Sequence, residues 1–437
     1  VKSNWQKSLQ HLSWDVTVPC NVTADVCLPD GTVAHVGSGS YHYDIKIPTR
    51  DSAIIKDEFL YEQTTFPQCH ASTITQLKNG DLVAAYFGGT KEGHPDVCIW
   101  VNRKPKGAKT WSQPILAADG VFNVNEPDAV PGIGGLTGIN DSTTDASAGP
   151  IIWKNHPRSK NPLTQLKRKP CYNPVLYQMP DGELLLFFKI GSKVADWTGW
   201  LVRSKDGGKT WSNREKLPQG FLGPIKNKPE LIDGRLICPS STEKDGWHIH
   251  FEIYDLATKQ WKYVGPISSE QEYATSDMLK SDAKKRDILC IQPSILQLKD
   301  GRLQVLCRTR NGRLATSYSS DKGDTWSKVT LTDLPNNNSG TDAVTLRDGR
   351  HALIYNDFAS LPGTPKGVRT PISIALSDDG IHWHHALTLE DSPISQYSYP
   401  AIIQGQNGHL YCTYTWRRQR ISFKEIDLDK IDIDKLK

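Results

Sequence analysis

Six times along this chain an Asn-Gly or Asp-Gly pair stands between two short runs of alternating apolar residues: Asn79-Gly80, Asp181-Gly182, Asp233-Gly234, Asp300-Gly301, Asp348-Gly349 and Asn407-Gly408. Glycine takes the positive φ that a tight hairpin turn needs, so each pair predicts two antiparallel strands. A second turn recurs in phase with the first. It is complete as Ser204-x-Asp206-x-Gly208-x-Thr210-Trp211 and as Ser319-x-Asp321-x-Gly323-x-Thr325-Trp326, one residue shorter from Ser377 to Trp383, and reduced to its tryptophan at Trp111 and Trp261. The short carboxylate can accept the turn's own backbone N–H groups, while the indole gives a small sheet a large body to bury. Four short strands per unit, repeated six times, predict an all-β fold, a six-bladed β-propeller. Only five units carry the closing tryptophan, so the last needs an outer strand from elsewhere. The alternating run IIKDEFLYE from Ile54 is the expected donor.

These repeats occupy residues 51–437, with a long insertion at about 113–170, and leave residues 1–50 as an irregular N-terminal segment. The insertion's glycine-rich stretch from Pro131 to Gly138 lacks the spacing and strand context of a dinucleotide-binding loop. With 52 basic against 48 acidic residues the formal charge is only +4, and the basic residues are scattered, so there is no nucleic-acid footprint. No apolar run approaches the ~18 residues that a membrane span requires. Most of the nine cysteines fall inside strand-like runs, where they read as small buried hydrophobes. Cys20 and Cys27 lie close together in a polar segment and are expected to form a disulfide. With the glycosylation acceptors at Asn21, Asn140 and Asn337, that pair predicts a secreted glycoprotein whose signal peptide has been removed. No Cys-x-x-Cys or His-Glu-x-x-His occurs, and His248-x-His250 places two residues on one strand face, so neither a metal nor a cofactor is expected.

In each unit the first strand runs toward the glycine turn and the second runs back. The start of one and the end of the other therefore share a rim. First-strand starts offer His70, Asn173, Asn227 with Lys228, Gln292, Asp342 and Tyr397; second-strand ends offer Lys189, Glu243, Arg308 with Arg310, Asn356, and Arg417 with Arg418. Several arginines converging on one rim repel unless an anion joins them, and arginine pairs bidentately with carboxylate. An acidic ligand is the expected partner.

At these residues the chain resembles the sialidase (neuraminidase) superfamily, in its Asp-box, BNR-repeat branch, over roughly residues 52–425. The resemblance implies an arginine triad for the substrate carboxylate, a tyrosine nucleophile paired with a glutamate, and an aspartate acid/base. Arg308, before the box SSDKGDTW, and Arg369, in GVRTPISIALSDDG, match two of the family's arginines, and Tyr397 in QYSYPAI matches its Tyr-Ser nucleophile motif. His70 stands where the first arginine belongs and Gln292 where the tyrosine's glutamate partner belongs, while Glu92 or Asp96 in KEGHPDVCIW is nearest to the acid/base. Glu243 is the rim carboxylate that could activate the tyrosine in place of Gln292.

The first reading is therefore an exo-acting glycoside hydrolase for a terminal acidic sugar, a sialic acid or a uronate. A neutral amide cannot take a tyrosine's proton, whereas a histidine, a tyrosine and arginines on a carboxylate suit β-elimination of a uronate. A propeller polysaccharide lyase is thus the second reading, and a non-catalytic glycan-binding propeller the third.

Overall fold

A computed structural model describes residues 1–7, 11–28, 32–46, 51–123, 166–244, 246–273, 285–360, 366–393 and 396–431. The repeats form antiparallel sheets of four strands, six of them among the described residues. In five, the strands follow one another in chain order: Gln68–Gln76 to Ile115–Ala118, Cys171–Gln178 to Glu215–Lys216, Glu230–Ile232 to Trp261–Val264, Cys290–Gln297 to Thr330–Pro335, and Asp342–Thr345 to His384–Glu390. The last sheet takes Tyr397–Gln404, Leu410–Trp416 and Arg420–Ile426, and its outer strand is Ile54–Phe59, paired from Ser422↔Phe59 to Ile426↔Ile54. The donor strand is the one expected from the alternation in IIKDEFLYE.

Strands with both faces covered are mostly apolar, and the cores lie between successive sheets. Val83, Ala85 and Phe87 of the first pack on Leu184, Leu186 and Phe188 of the second. Phe187 and Leu201 meet Cys238 of the third, and Phe251 meets Val305 of the fourth. Leu306 meets Leu353 of the fifth, and Ile374 meets Cys412 of the sixth. A further cluster joins the sixth sheet back to the first through Tyr411, Phe423, Tyr86 and Trp100. Polar cross-links follow the same circuit: Thr73 Oγ1 accepts from Leu176 N, Thr345 Oγ1 from Gln297 N, Asp342 Oδ2 from Ile402 N, and Thr415 Oγ1 contacts His70 Nδ1 at 2.8 Å.

The tryptophan-closed turns work as their residue types predict. Asp321 Oδ1 accepts from Thr325 N and Ser319 Oγ, its Oδ2 accepts from Thr325 Oγ1, and Gly323 sits at φ +94°. Trp326 then stacks on Phe251 of the preceding sheet, with ring centres 3.9 Å apart and planes 7° from parallel. Partial burial would raise the Asp321 pKa, but hydrogen bonds from the Thr325 hydroxyl and N–H and the Ser319 hydroxyl outweigh it and bring it down to about 2. That stabilisation is complete above the unfolded value of ~3.9 and is lost as the pH falls through about 2. Asp321→Ala should lower the thermal midpoint at neutral pH and leave substrate affinity unchanged, with a much smaller difference from wild type in acid; calorimetry against pH checks both.

Three expectations fail in the N-terminal and surface regions. The segment over 1–50 is not irregular where it is described: Lys2–Lys7, His11–Val18 and Gly39–Lys46 form a three-stranded sheet, and Ala24–Cys27 pairs with Val33–Val36, around Val16, Val18 and Val26. Their short alternations were masked by turn residues. Cys20 and Cys27 are both exposed free thiols, so no disulfide joins them. Asn337 is buried, with its Nδ2 bonded to Val368 O, and cannot accept a glycan in the folded chain, whereas Asn21 is exposed. Asn140 and the Pro131 to Gly138 stretch lie outside the described residues. Of the insertion, Ile115–Ala118 completes the first sheet, and Val121–Asn123 pairs with Leu166–Arg168. No helix among the described residues is long and apolar enough to cross a membrane.

Candidate active site

Four innermost strands share one irregularity near their first residues. The register slips between His70 and Thr73, Tyr172 and Val175, Ile291 and Ser294, and Ser398 and Ala401. At each slip one residue takes a positive φ: Ala71 at +56°, Asn173 at +36°, Gln292 at +57° and Tyr399 at +52°. A bulge inserts an extra residue and breaks the two-residue period, so side chains before and after it no longer follow one alternation.

This bulge decides which tyrosine reaches the rim. Tyr397 precedes it and points into the core between the fifth and sixth sheets, 1% exposed, its ring 6.5 Å from that of Tyr414. Its buried hydroxyl is not presented to the rim. Tyr399, on the bulge itself, is partly exposed, and its hydroxyl oxygen accepts from Arg308 Nη1 at 2.7 Å and from Gln292 Nε2 at 3.2 Å. Two donors aimed at one oxygen stabilise negative charge that develops there. Among the described hydrogen bonds no carboxylate reaches this hydroxyl. The signal that would have found Tyr399 is the recurring X-Pro pair on the inner strands, Asn173-Pro174, Gln292-Pro293 and Tyr399-Pro400.

Cations gather around that ring. Arg308, Arg369 and Lys226 place their charged groups 5.7, 5.6 and 6.0 Å from its centre. Arg308 is further fixed by Asn338 Oδ1 at 3.0 Å and by Gln292 Oε1 at 3.3 Å, and it lies over Trp247, whose ring also carries Arg310 at 4.1 Å. Burial first, and then the like charges of Arg308 and Arg418 set against Tyr399 and Glu92, bring Arg369 down to about 10, so it stays cationic at neutral pH. Arg418 enters from the turn after Leu410–Trp416, at φ +62°, and pairs with Glu92 at 2.8 Å. Arg369, Arg418 and Gln396 border one open cleft of about 420 Å³. His70 lies beside Tyr399, ring centres 4.2 Å apart; burial foremost, then the charges of Arg418, Arg369, Arg308 and Lys226, push its pKa well below the ordinary value. The imidazole is therefore neutral.

Other rim residues brace the sheets. Asp96 is buried and its carboxylate is occupied by Thr90 N, Thr90 Oγ1 and His94 Nδ1, whereas Glu92 is exposed and pairs with Arg418. Lys189 is wholly buried and donates to the carbonyls of Asn173 and Pro224. Asn173 donates to Ile225 O, Asn227 to Ser294 Oγ, and Asn356 to the carbonyls of Pro371 and Tyr397. Lys228 and Asp342 pair at 3.0 Å, and Arg417 lies on Trp416. Glu243 is exposed and borders a different cavity, so it does not approach the tyrosine. Lys226 escaped the rim count because it precedes the strand start. It is buried, bonds Asn227 Oδ1, Thr341 O and Pro400 O, and burial drives its pKa down to about 7.

The family model described as BNR repeat-like domain matches residues 80–131 and 139–412, and the chain belongs to that family, the BNR branch of the sialidase superfamily. The model for the bacterial alpha-L-rhamnosidase C-terminal domain matches residues 1–49. An anhydrosialidase from Macrobdella decora is 25% identical over an alignment of 285 residues, covering 59% of this chain and only 35% of the relative's length. Among solved structures, a sialidase from Streptococcus pneumoniae superposes with a TM-score of 0.60 at 15% identity, covering 98% of this chain and 86% of the other. An alpha-L-arabinanase from Penicillium chrysogenum superposes at 0.53 and 16%, covering 86% and 99%. The fold is thus shared by proteins named for different sugars, and the site must decide the chemistry.

Proposed function

We propose that the repeats are the blades of a six-bladed propeller, and that the protein is a glycoside hydrolase removing a terminal carboxylated sugar, of sialic-acid type, from glycans. The observation that carries this reading is the gathering of Arg308 and Arg369 at Tyr399, with Arg418 beside Arg369. His70 has displaced the expected first arginine, and Arg418 restores a third guanidinium from the opposite end of the chain. Arg308 and Arg369 repel each other beside a partly exposed tyrosine and Arg418 already holds Glu92, so an entering carboxylate joins the first two and competes with Glu92 for the third. With the acid held, the Tyr399 oxygen attacks the anomeric carbon and Glu92 gives a proton to the departing glycosidic oxygen. Water then attacks the anomeric carbon, giving its proton to Glu92, and the Tyr399 oxygen departs and regains a proton from solvent as the sugar is freed. The tyrosine's proton leaves to water as Arg308 and Gln292 hold the charge on oxygen, and His70 packs beside the ring without taking the proton.

That same pairing favours a second reading. A neutral histidine against a tyrosine, with no carboxylate among the described partners of its hydroxyl, suits β-elimination from a uronate: the arginines neutralise the acid, one group takes the α proton, and the other protonates the leaving oxygen. Incubation with 3'-sialyllactose and with uronate oligosaccharides separates the two. Release of the free acidic sugar without new ultraviolet absorbance supports the hydrolase; absorbance of a new carbon–carbon double bond supports the lyase; intact glycans in both would sink the enzymatic reading. His70→Arg should retain hydrolysis of a sialoside, because it restores the family's guanidinium, but should abolish elimination.

A further inference from the structure

Tyr399 and Gln292, which meet at the phenol oxygen, both stand on bulges where the sheet ladder does not hold them. The register of the fourth sheet passes from Ile291 to Ser294 and that of the sixth from Ser398 to Ala401, so Gln292, Pro293, Tyr399 and Pro400 are unpaired in it. Another contact must set the distance between the two bulges. We propose that the Lys226-Asn227 pair is that strut, and that Lys226 is a positioning residue for the Tyr399 hydroxyl. This role rests on the reading above, in which that hydroxyl reacts with an acidic sugar.

Lys226 lies just before the third sheet. Its Nζ donates to Pro400 O on the sixth sheet's bulge, to Thr341 O before the fifth sheet at 2.9 Å, and to Asn227 Oδ1 at 2.8 Å. Asn227 Nδ2 in turn donates to Gln292 O at 3.0 Å, Pro293 O at 3.1 Å and Ser294 Oγ at 2.7 Å, all at the fourth sheet's bulge. Two adjacent residues therefore join both bulges. The segment that delivers them is itself anchored: Glu252 accepts from Leu222 N and Gly223 N, Lys189 donates to Pro224 O, and Asn173 donates to Ile225 O. Gly340 leaves the room, since a Cβ there would come within 3.2 Å of Lys226 Cε and 3.0 Å of Gln292 Oε1.

The acceptors also fix the protonation state of the strut. An ammonium carries three N–H donors, whereas a neutral amine has only two and a lone pair that would face a carbonyl oxygen. The cage of Pro400 O, Thr341 O and Asn227 Oδ1 is thus complete only around the cation, which stands 6.0 Å from the centre of the Tyr399 ring. Burial brings the Lys226 pKa down to about 7; Asp342 favours the ammonium, while Lys228 and Arg308 oppose it. His70, whose own pKa the Lys226 charge helps to lower, stays neutral beside it. The strut is whole below pH 7 and loses a bond above it.

The test compares Lys226→Met and Lys226→Arg with wild type. In Lys226→Met, kcat on 3'-sialyllactose should fall about 10²-fold, as expected of a displaced reacting atom, while KM and calorimetric affinity stay within about twofold because the arginines are untouched. Lys226→Arg should keep most of the turnover. In protein labelled with 3-fluorotyrosine, the fluorine signal of Tyr399, identified by its absence from Tyr399→Phe, should shift with a midpoint near pH 7 in wild type. It should not do so in Lys226→Arg, whose guanidinium does not deprotonate. Wild-type kcat in folded Lys226→Met overturns the positioning role and leaves the acidic-sugar reading standing. A Tyr399 signal that titrates only with Lys226 present, in a protein that neither binds nor cleaves acidic sugars, keeps the strut and overturns the acidic-sugar reading. If Lys226→Met does not fold, the wild-type titration decides alone, and a Tyr399 signal that stays flat through pH 7 overturns the strut.

Discussion

Tyr399→Phe should reduce turnover by about 10²–10⁴-fold while leaving the fold and substrate affinity close to wild type. The change deletes only a hydroxyl that projects from a half-buried ring, and that hydroxyl is held by Arg308 at 2.7 Å. Tyr397→Phe is the matched control. Its ring lies in the core against Tyr414, so that variant should keep full activity. Steady-state kinetics on both proteins, with circular dichroism to confirm folding, decides between the tyrosines. Full activity in a folded Tyr399→Phe protein would remove the reactive role argued from the bulge.

The second large effect belongs to the guanidinium groups. Arg308→Ala, Arg369→Ala and Arg418→Ala should each cost about 2–5 kcal/mol of binding to a carboxylated sugar, since each removes a charge-assisted contact in a partly buried site. Arg308 should cost the most, because it also aims at the tyrosine and is fixed by Asn338 and Gln292. Binding of the corresponding sugar alcohol, which lacks the carboxylate, should change little. Wild-type affinity for the acid in Arg418→Ala would show that a third guanidinium is not needed.

The sheets were legible because their determinants are local. A glycine at φ +88° after Asn79, or a carboxylate accepting from the turn that follows it, is specified by neighbours in sequence. The arginine cluster was partly legible for a related reason: Arg308 ends a regular strand, so counting places it on the rim. Tyr399 was not, because a bulge changes the parity that counting relies on, and the motif match to Tyr-Ser favoured the residue two positions earlier. Asp96 and Lys189 were misread because a polar residue at a strand end looks the same whether it faces a ligand or satisfies a buried N–H or carbonyl. Only the partner atoms, here Thr90 N and Pro224 O, separate the two cases.

The pairing of Ile54–Phe59 with Arg420–Ile426 also constrains how the molecule can be made. Each of the other sheets is assembled from consecutive hairpins and can form as soon as its own residues are free to move. The last cannot. Its outer strand waits, unpaired, while nearly the whole chain intervenes, and joining segments so distant in sequence is slow because loop-closure entropy is spent before the contact rewards it. Until then Arg420–Ile426 offers a row of open backbone groups to any passing strand, including the same strand of another copy. Dilute refolding should therefore outperform concentrated refolding, and detaching Ile54–Phe59 should cost yield more than it costs the chemistry at Tyr399.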